Sequence, residues 1–171
     1  MDIRSRHFVP TISIAFTLIA ASLLVLVPEG VSALQDGVFE YELTGDPAVA
    51  AITKYIGPGG AVNVPSTLGG YPTAIVRHDA FNNMLGHLAT SVLLPSSVHT
   101  VENYAFANWD LLSMVSISSG VTFIGEQVFH RCYSLGSIAV KDANTRYSSI
   151  DGVLYDKNLS TLIKCPAAKT G

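Results

Sequence analysis

The feature that most constrains this chain is a repeat of its apolar residues every 23 positions. When residues 92–114 are laid over residues 115–137, apolar side chains coincide along the whole length. The coinciding pairs are Val92 and Val115, Leu94 and Ile117, Val98 and Val121, Val101 and Ile124, Ala105 and Val128, Phe106 and Phe129, and Leu112 and Leu135. A third copy begins at Ile138, and an earlier one holds Ala80 and Phe81. A fixed period indicates stacked repeats, because one such unit is too small to enclose its own core.

Each copy has the same anatomy. It opens on a short run of alternating apolar residues, such as Val115-Ser116-Ile117, which predicts a strand with one buried face. A turn rich in serine, glycine or proline follows, and then a compact helical or 3₁₀ turn around the Ala-Phe or Val-Phe pair. The pattern predicts a mainly β solenoid with one short parallel strand per coil of about 23 residues. The alternative is an antiparallel β-sandwich, whose loops would vary in length.

Taken in order, these positions resemble the BspA-like leucine-rich repeats. The motif is Leu-x-x-Val/Ile-x-Ile/Leu-Pro-x-x-Val-x-x-Ile-x-x-x-Ala-Phe-x-x-Cys-x-x-Leu. Residues 92–106 match the motif from its strand to the Ala-Phe pair. The next copy supplies Ile124, Phe129, Cys132 and Leu135 at the later motif positions. Trp109 departs from the motif because it stands at the usual Cys position.

The resemblance covers roughly residues 37–171 and implies a leucine-rich-repeat solenoid flanked by β-hairpins. It implies an N-terminal β-hairpin cap over residues 34–60 and leucine-rich repeats over residues 61–146. A β-hairpin insertion and the start of a further, truncated repeat would occupy residues 147–171. Proteins of this family are secreted or surface-bound binding proteins, and many are adhesins. The resemblance therefore implies binding without naming a ligand.

Residues 1–33 have the composition of a secretory signal peptide. Arg4 and Arg6 precede an uncharged apolar run over residues 11–27, and residues 31–33 place small side chains where a signal peptidase recognises them. The sequence predicts cleavage at the end of this segment. An uncleaved membrane anchor is the alternative, because this uncharged run of 17 residues lies at the lower limit of length for spanning a bilayer. We expect a secreted or cell-surface protein that touches a membrane only through this segment, if it stays uncleaved.

The rest of the sequence carries no pattern typical of catalysis or of cofactor, metal or nucleic-acid binding. Charged residues make up 13% of the chain, the net charge is −3, and no basic stripe is present. The histidines do not have the spacing of a helical metal pair, and residues 57–60 lack the Lys-Ser/Thr of a phosphate loop. Acidic residues such as Glu102 and Asp110 occupy different coil positions, so no acid–base pair is predicted. We expect a non-enzymatic protein without a cofactor.

The outward strand positions and their flanks form the predicted interaction face. Its residues are Asn63, Leu93, Met114, Ser116, Ala139 and Lys141. The face is small and nearly uncharged, and it lacks the aromatic or arginine cluster that marks a binding hot spot. Two hypotheses follow. The protein is a binding or adhesion module for a protein or cell-surface ligand, or it is a structural spacer segment of a larger cell-surface protein.

Two further features concern covalent modification. Asn158-Leu159-Ser160 is the one Asn-x-Ser/Thr sequon, and its polar turn predicts a glycosylation site in a host that glycosylates exported proteins. A plain hairpin turn is the alternative. Cys132 and Cys165 are the two cysteines. In an exported protein the two cysteines either form a disulfide bond or are unpaired, small buried residues at repeat positions.

The end of the sequence predicts an open end of the stack. Residues 162–171 stop where another strand is expected, and the hairpin from Gly152 to Cys165 lacks the polar surface of a terminal cap. We expect either further repeats beyond Gly171 or association through the C-terminal strand edge. The alternative is a hairpin that folds over the end and caps it.

Overall fold

The computed structural model describes residues 33–82 and 88–170, and these residues form short β-strands joined by turns. The predicted signal peptide, residues 1–33, lies outside the described residues except for its last one. The strands, in chain order, are β1 Leu34–Asp36, β2 Phe39–Thr44, β3 Val49–Tyr55, β4 Gly60–Asn63, β5 Thr67–Leu68, β6 Tyr71–Val76, β7 Ala89–Leu93, β8 Thr100–Val101, β9 Met114–Ile117, β10 Phe123–Ile124, β11 Ser137–Val140, β12 Tyr147–Ile150, β13 Val153–Asp156 and β14 Leu162–Lys164.

Two parallel sheets form the walls of a solenoid. Sheet 1 has the strand order β11-β9-β7-β4, and every pair in it is parallel. In sheet 2, strands β3, β6, β8 and β10 also pair in parallel. The predicted solenoid is confirmed, and its parallel pairing excludes the antiparallel sandwich. The sequence predicts one strand per coil, which lies in sheet 1. Two coils also contribute a two-residue strand to sheet 2, namely β8 and β10.

The alternation along the strands of sheet 1 places rows of branched apolar side chains inside the solenoid. Val62, Val92, Val115 and Ile138 share one register row and are at most 3% exposed. Burying each such side chain stabilises the fold by about 1.5–3 kcal/mol. The buried hydrophobic core found among the described residues extends from Phe39 to Leu154. The repeats and both flanking hairpins therefore share one core.

An aromatic column runs through the solenoid beside this row. The rings of Phe81 and Phe106 are 4.9 Å apart, and those of Phe106 and Phe129 are 6.1 Å apart. Trp109 packs edge-on against Phe81 and Phe106, and its Nε1–H donates to the Phe81 carbonyl at 2.6 Å. The indole is fully buried. The residue that departs from the repeat motif thus joins the core, with its one polar group satisfied.

The turns that carry the column are β-turns, where a helical or 3₁₀ turn is expected. Tyr104 and Asn108 have φ values of 56° and 62°, and Gln127 and Arg131, one coil later, have 53° and 55°. A residue in this left-handed region interrupts a right-handed helix. The backbone N–H of Tyr104 donates to a carbonyl of the next coil instead of to its own turn. Bonding between coils has replaced bonding along a helix.

The N-terminal segment 34–60 packs onto the first coil. Strands β1, β2 and β3 pair antiparallel, and β3 then pairs in parallel with β6 of the first coil. Tyr55 stacks on Phe81 at 5.2 Å, and Phe39 lies 5.4 Å from Tyr55. The hairpin thereby extends the aromatic column and covers its first ring.

A second hairpin packs onto the last coil. Strands β12, β13 and β14 form an antiparallel sheet, and Leu154 on β13 is fully buried in the common core. The Ile138 N–H of β11 donates to the Gly152 carbonyl of the hairpin turn at 2.8 Å. This hairpin covers part of the end that the sequence predicts to be open. Across the described residues, we find no helix long and apolar enough to cross a membrane.

Candidate functional site

The outer surface of sheet 1 presents the predicted interaction face as one row across four strands. Asn63, Leu93, Ser116 and Ala139 are register partners on β4, β7, β9 and β11. Asn63, Leu93 and Ala139 are exposed, and Ser116 is half-buried. Adjacent strands lie about 4.8 Å apart, so the four side chains follow one another closely.

A second outward row runs beside the first. Met114 is the register partner of Ser91 on one side and of Ser137 on the other, and Ser91 pairs with Ala61. The prediction from sequence includes only Met114 of this row. The period-two alternation that identifies Leu93 also points to Ser91, so the signal for the missing residues is present in the sequence.

Lys141 stands apart from both rows. It follows the last residue of β11, and its N–H donates to the Ile117 carbonyl at 3.0 Å. Its side chain is exposed at the margin of the face. The structure therefore brings five of the six predicted residues together on the strands and places the sixth at the edge.

The chemistry of the face follows from these side chains. Leu93 is 45% exposed and Met114 is 48% exposed, and small or uncharged residues surround them on the two rows. Contact with a partner would cost little desolvation, because neither row carries a charge. Methionine adapts its shape to a partner, and serine and alanine allow a close approach. The face thus offers apolar contact area without charged groups.

A charge cluster outside this face, centred on Arg77, has a structural role. The Arg77 guanidinium donates to Glu42 on β2 at 2.6 and 2.9 Å and to Glu102 at 2.8 Å. The His78 N–H donates to the other Glu102 oxygen at 2.9 Å. Burial raises the pKa of Glu102, but these hydrogen bonds and the positive charge of Arg77 outweigh it and hold that pKa below its ordinary value of 4.5. The cluster ties the N-terminal hairpin to two successive coils.

Replacing Glu102 by glutamine is expected to lower the free energy of unfolding by about 0.5–1 kcal/mol at pH 7. A carboxylate whose pKa is lowered in the folded state contributes stability above its unfolded pKa, and the contribution is lost as the pH falls through the folded value. The difference between Glu102→Gln and the parent should therefore shrink below about pH 4.5. Urea titrations across this pH range measure it, with Glu126→Gln as control. A difference that persists unchanged at low pH would contradict the ion pair.

The two cysteines are both free. Cys132 is buried, and its thiol lies 3.1 Å from the Phe106 carbonyl, whereas Cys165 is exposed. The sequence leaves open whether Cys132 and Cys165 form a disulfide, and in the described structure they do not. Burial raises the pKa of the Cys132 thiol to about 11.

Thiol labelling of the native protein near pH 8 should therefore modify one cysteine per chain, because only about a thousandth of Cys132 is thiolate there. Denaturation should release the second thiol. Peptide mapping identifies the residue that reacts first, which we expect to be Cys165. Two fast thiols, or none, would contradict the placement of these side chains.

Two other predicted features have defined positions. Asn158 is exposed in the turn between β13 and β14, where Asp156 accepts hydrogen bonds from Ser160 Oγ and the Thr161 N–H, both at 2.7 Å. Its glycosylation stays a prediction. In the described part of the chain, no group of three or more His, Cys, Asp or Glu side chains is placed to hold a metal ion.

A solenoid of short parallel strands about 23 residues apart, with a buried apolar row and an aromatic column, is a leucine-rich-repeat architecture. The family described as "BspA type Leucine rich repeat region" matches residues 71–164 in six copies. This chain belongs to that family. Leucine-rich repeats of this kind are generally non-enzymatic scaffolds for binding or for structural support.

Solved structures of bacterial leucine-rich-repeat proteins resemble this chain. A Bacteroides ovatus protein is 25% identical over 61% of this chain and 28% of its own length, with a TM-score of 0.51. A T. pallidum leucine-rich-repeat protein is 21% identical over 63% of this chain and 71% of its own, with a TM-score of 0.40. A leucine-rich cell surface protein from Faecalibacterium prausnitzii is 18% identical over 82% and 63%, with a TM-score of 0.36. The chain thus spans about a quarter of the Bacteroides ovatus protein. A comparison with curated proteins gives no match.

Proposed function

We propose that this protein is an exported, non-enzymatic binding or adhesion module that recognises a protein or cell-surface ligand through the outer face of sheet 1. The observation that carries the proposal is the alignment of two uncharged outward rows across four hydrogen-bonded strands, with Leu93 and Met114 exposed on them. Family membership supports the same function, since these repeats serve as scaffolds for binding.

The physical basis is preorganisation. The strands are fixed by parallel pairing and by the buried side chains behind them, so binding costs little conformational entropy in the protein. The contact would gain mainly from covering Leu93 and Met114. Affinity should therefore change little between about 0.05 M and about 0.5 M salt, because screening acts on charges and the rows carry none.

A matched pair of variants tests the face. Leu93→Glu combined with Met114→Glu places two carboxylates on the face. The control, Ile150→Glu combined with Leu162→Glu, changes two equally exposed apolar residues on the second hairpin. Labelled protein comprising residues 34–171 is measured by flow cytometry on intact bacterial and epithelial cells. The face variant should bind at least about tenfold more weakly, and the control should bind like the parent. Equal binding by the face variant would overturn the proposal.

Export is the part of the proposal that rests on residues 1–33. The basic start, the apolar run and the small-residue exit support cleavage after Ala33. We expect the exported protein to begin at Leu34, as measured by N-terminal sequencing or by intact mass. Exported material that retains Met1 or the apolar run would contradict cleavage and favour a membrane anchor.

The alternative function is a structural spacer in a larger cell-surface protein. The continuous aromatic column and the hydrogen bonds between successive coils favour it, because both stiffen the solenoid along its axis. A spacer needs no specific face. Under this hypothesis, purified residues 34–171 bind to no cell type, and the face variant behaves like the parent. Shortening the array by one coil should instead change the distance at which the attached domains are held.

A further inference from the structure

A groove of about 260 Å³ lies beside the strands of sheet 2, and we call it the side groove. It is lined by His78 of the first coil, Glu102 and Asn103 of the second, and Phe123 of the third. Each of these residues lies on, or directly after, the strand that its coil contributes to sheet 2. The stacking of three coils therefore builds the side groove, and it shares no residue with the face on sheet 1.

Phe123 forms the aromatic wall of the side groove. It is the register partner of Thr100, which in turn pairs with Ile75. The neighbouring register row contains Val76 and Val101 and is buried, so the alternation along the strands directs Phe123 outward. Its ring is 52% exposed, and the apolar surface that it presents is available to a ligand.

Asn103 supplies hydrogen-bond donors. Its Oδ1 accepts from the Glu126 N–H of the next coil at 2.8 Å, which fixes the orientation of the amide. Gly125 makes this contact possible, because a Cβ there would collide with Asn103 Oδ1 and lie 2.6 Å from the Asn103 backbone nitrogen. Across the described residues, Asn103 Nδ2 donates to no other group. Both of its hydrogens are therefore available to a ligand.

Glu102 supplies hydrogen-bond acceptors. One of its carboxylate oxygens accepts from the Arg77 guanidinium at 2.8 Å, and the other accepts from the His78 N–H at 2.9 Å. A carboxylate oxygen can accept two hydrogen bonds, so each oxygen keeps one position open. Arg77 already serves as the counter-ion of this carboxylate, and the two bonds hold the side chain in place.

These groups match the chemistry of a sugar ring. The carbons of a pyranose form an apolar patch of C–H groups that packs on the negative face of an aromatic ring, and adjacent hydroxyls both donate and accept hydrogen bonds. The side groove is slightly smaller than the range of about 300–1,000 Å³ that is typical for drug-sized ligands, so it suits one ring. Its polar groups are fixed by the chain, which keeps the entropic cost of binding low.

We propose that the side groove binds one sugar ring of a glycan. The ring packs its C–H patch on Phe123, one hydroxyl accepts from Asn103 Nδ2, and a neighbouring hydroxyl donates to Glu102. The His78 imidazole forms the remaining side, where the Tyr104 ring packs edge-on against it at 5.7 Å. This inference is independent of the proposed function of sheet 1, because it rests on other residues.

NMR titration of residues 34–171, which hold the described core, tests the proposal. The probes are the methyl glycosides of glucose, galactose, mannose and N-acetylglucosamine. At least one of them should shift the Asn103 side-chain amide and the Phe123 ring signals, with a Kd in the millimolar range that about twelve heavy atoms provide. No shift with any of these sugars up to about 50 mM, or shifts confined to residues outside the side groove, would overturn the proposal.

Two variants locate the binding energy. Phe123→Ala removes the aromatic wall, and Asn103→Asp removes both donors but keeps an acceptor for the Glu126 N–H. Each should raise the Kd at least about tenfold. The matched controls are Tyr133→Ala, which removes a 63% exposed ring outside the side groove, and Asn158→Asp, and both should bind like the parent. The NMR spectra show whether each variant is folded, and a folded Phe123→Ala protein with the parent's Kd would contradict the proposal.

A cationic side chain of a peptide is the competing occupant, because it could stack on Phe123 beside Glu102. N-acetyl-lysinamide and N-acetyl-argininamide are the probes for it. They should bind more weakly than the best sugar, because Arg77 already pairs with Glu102. Sugar affinity should also stay constant between about 0.05 M and about 0.5 M salt. Tighter binding of a cationic probe than of every sugar, or loss of sugar affinity in salt, would overturn the assignment to a sugar.

Discussion

Replacing Phe106 by alanine is expected to lower the free energy of unfolding by about 3–5 kcal/mol. Phe106 is fully buried, and its ring packs against Phe81 at 4.9 Å, Trp109 at 5.6 Å and Phe129 at 6.1 Å. The substitution removes the middle of a column that joins three coils. A cavity there cannot collapse easily, because the coils above and below are fixed by their own hydrogen bonds.

Thermal and urea unfolding of residues 34–171 measure this loss. Phe123→Ala is the matched control, because Phe123 is the same residue type in the next coil but is 52% exposed. Its effect should stay within about 0.5 kcal/mol. The total stability of a domain is about 5–15 kcal/mol, so the Phe106 variant should be close to unfolding at 37 °C. Coincident unfolding curves for the Phe106 variant and the parent would contradict the placement of Phe106 in a buried aromatic column.

Replacing Asn144 by alanine is expected to cost about 2–4 kcal/mol, because it leaves several buried backbone groups without partners. The Asn144 side chain is 1% exposed. Its Nδ2 donates to the carbonyls of Ser118 and Val121 at 2.8 and 2.9 Å. Its Oδ1 accepts from the N–H groups of Arg146 and Tyr147, both at 2.8 Å. One side chain thus joins the last coil to the start of the second hairpin.

Two further variants make this prediction specific. Asn158→Ala changes an exposed asparagine in the β13–β14 turn and should leave the stability nearly unchanged. Asn144→Asp keeps the acceptor but turns the donor into an oxygen that faces two carbonyls. It should therefore be as damaging as Asn144→Ala at neutral pH. An aspartate variant as stable as the parent would contradict the two donated bonds.

The sequence predicts the coil and its inner face because both depend on a period. Val92 and Val115 recur at the same coil position as partners in sheet 1, and Phe106 and Phe129 recur as neighbours in the column. The outward row through Leu93 follows from the same alternation. A repeat determines which side chains occupy the same position in successive coils. This information is sufficient to define a candidate face.

The remaining features depend on contacts that no local pattern records. The strands of sheet 2 have only two residues in β8 and β10, too few to show alternation. Tyr104 and Gln127 share a left-handed backbone without glycine or asparagine to signal it. The role of Asn144 depends on the Ser118 and Val121 carbonyls of the preceding coil, to which its side chain donates.

Scalar couplings across hydrogen bonds, measured by NMR on residues 34–171, test the central claim most directly. A parallel solenoid predicts couplings from the Leu94 amide to the Ser116 carbonyl and from the Phe106 amide to the Val128 carbonyl, so that residue numbers differ by a constant along the chain. An antiparallel fold would instead give pairs whose residue numbers have a constant sum. Detection of the first set would establish the stacked coils and the face built on them, and detection of the second set would contradict both.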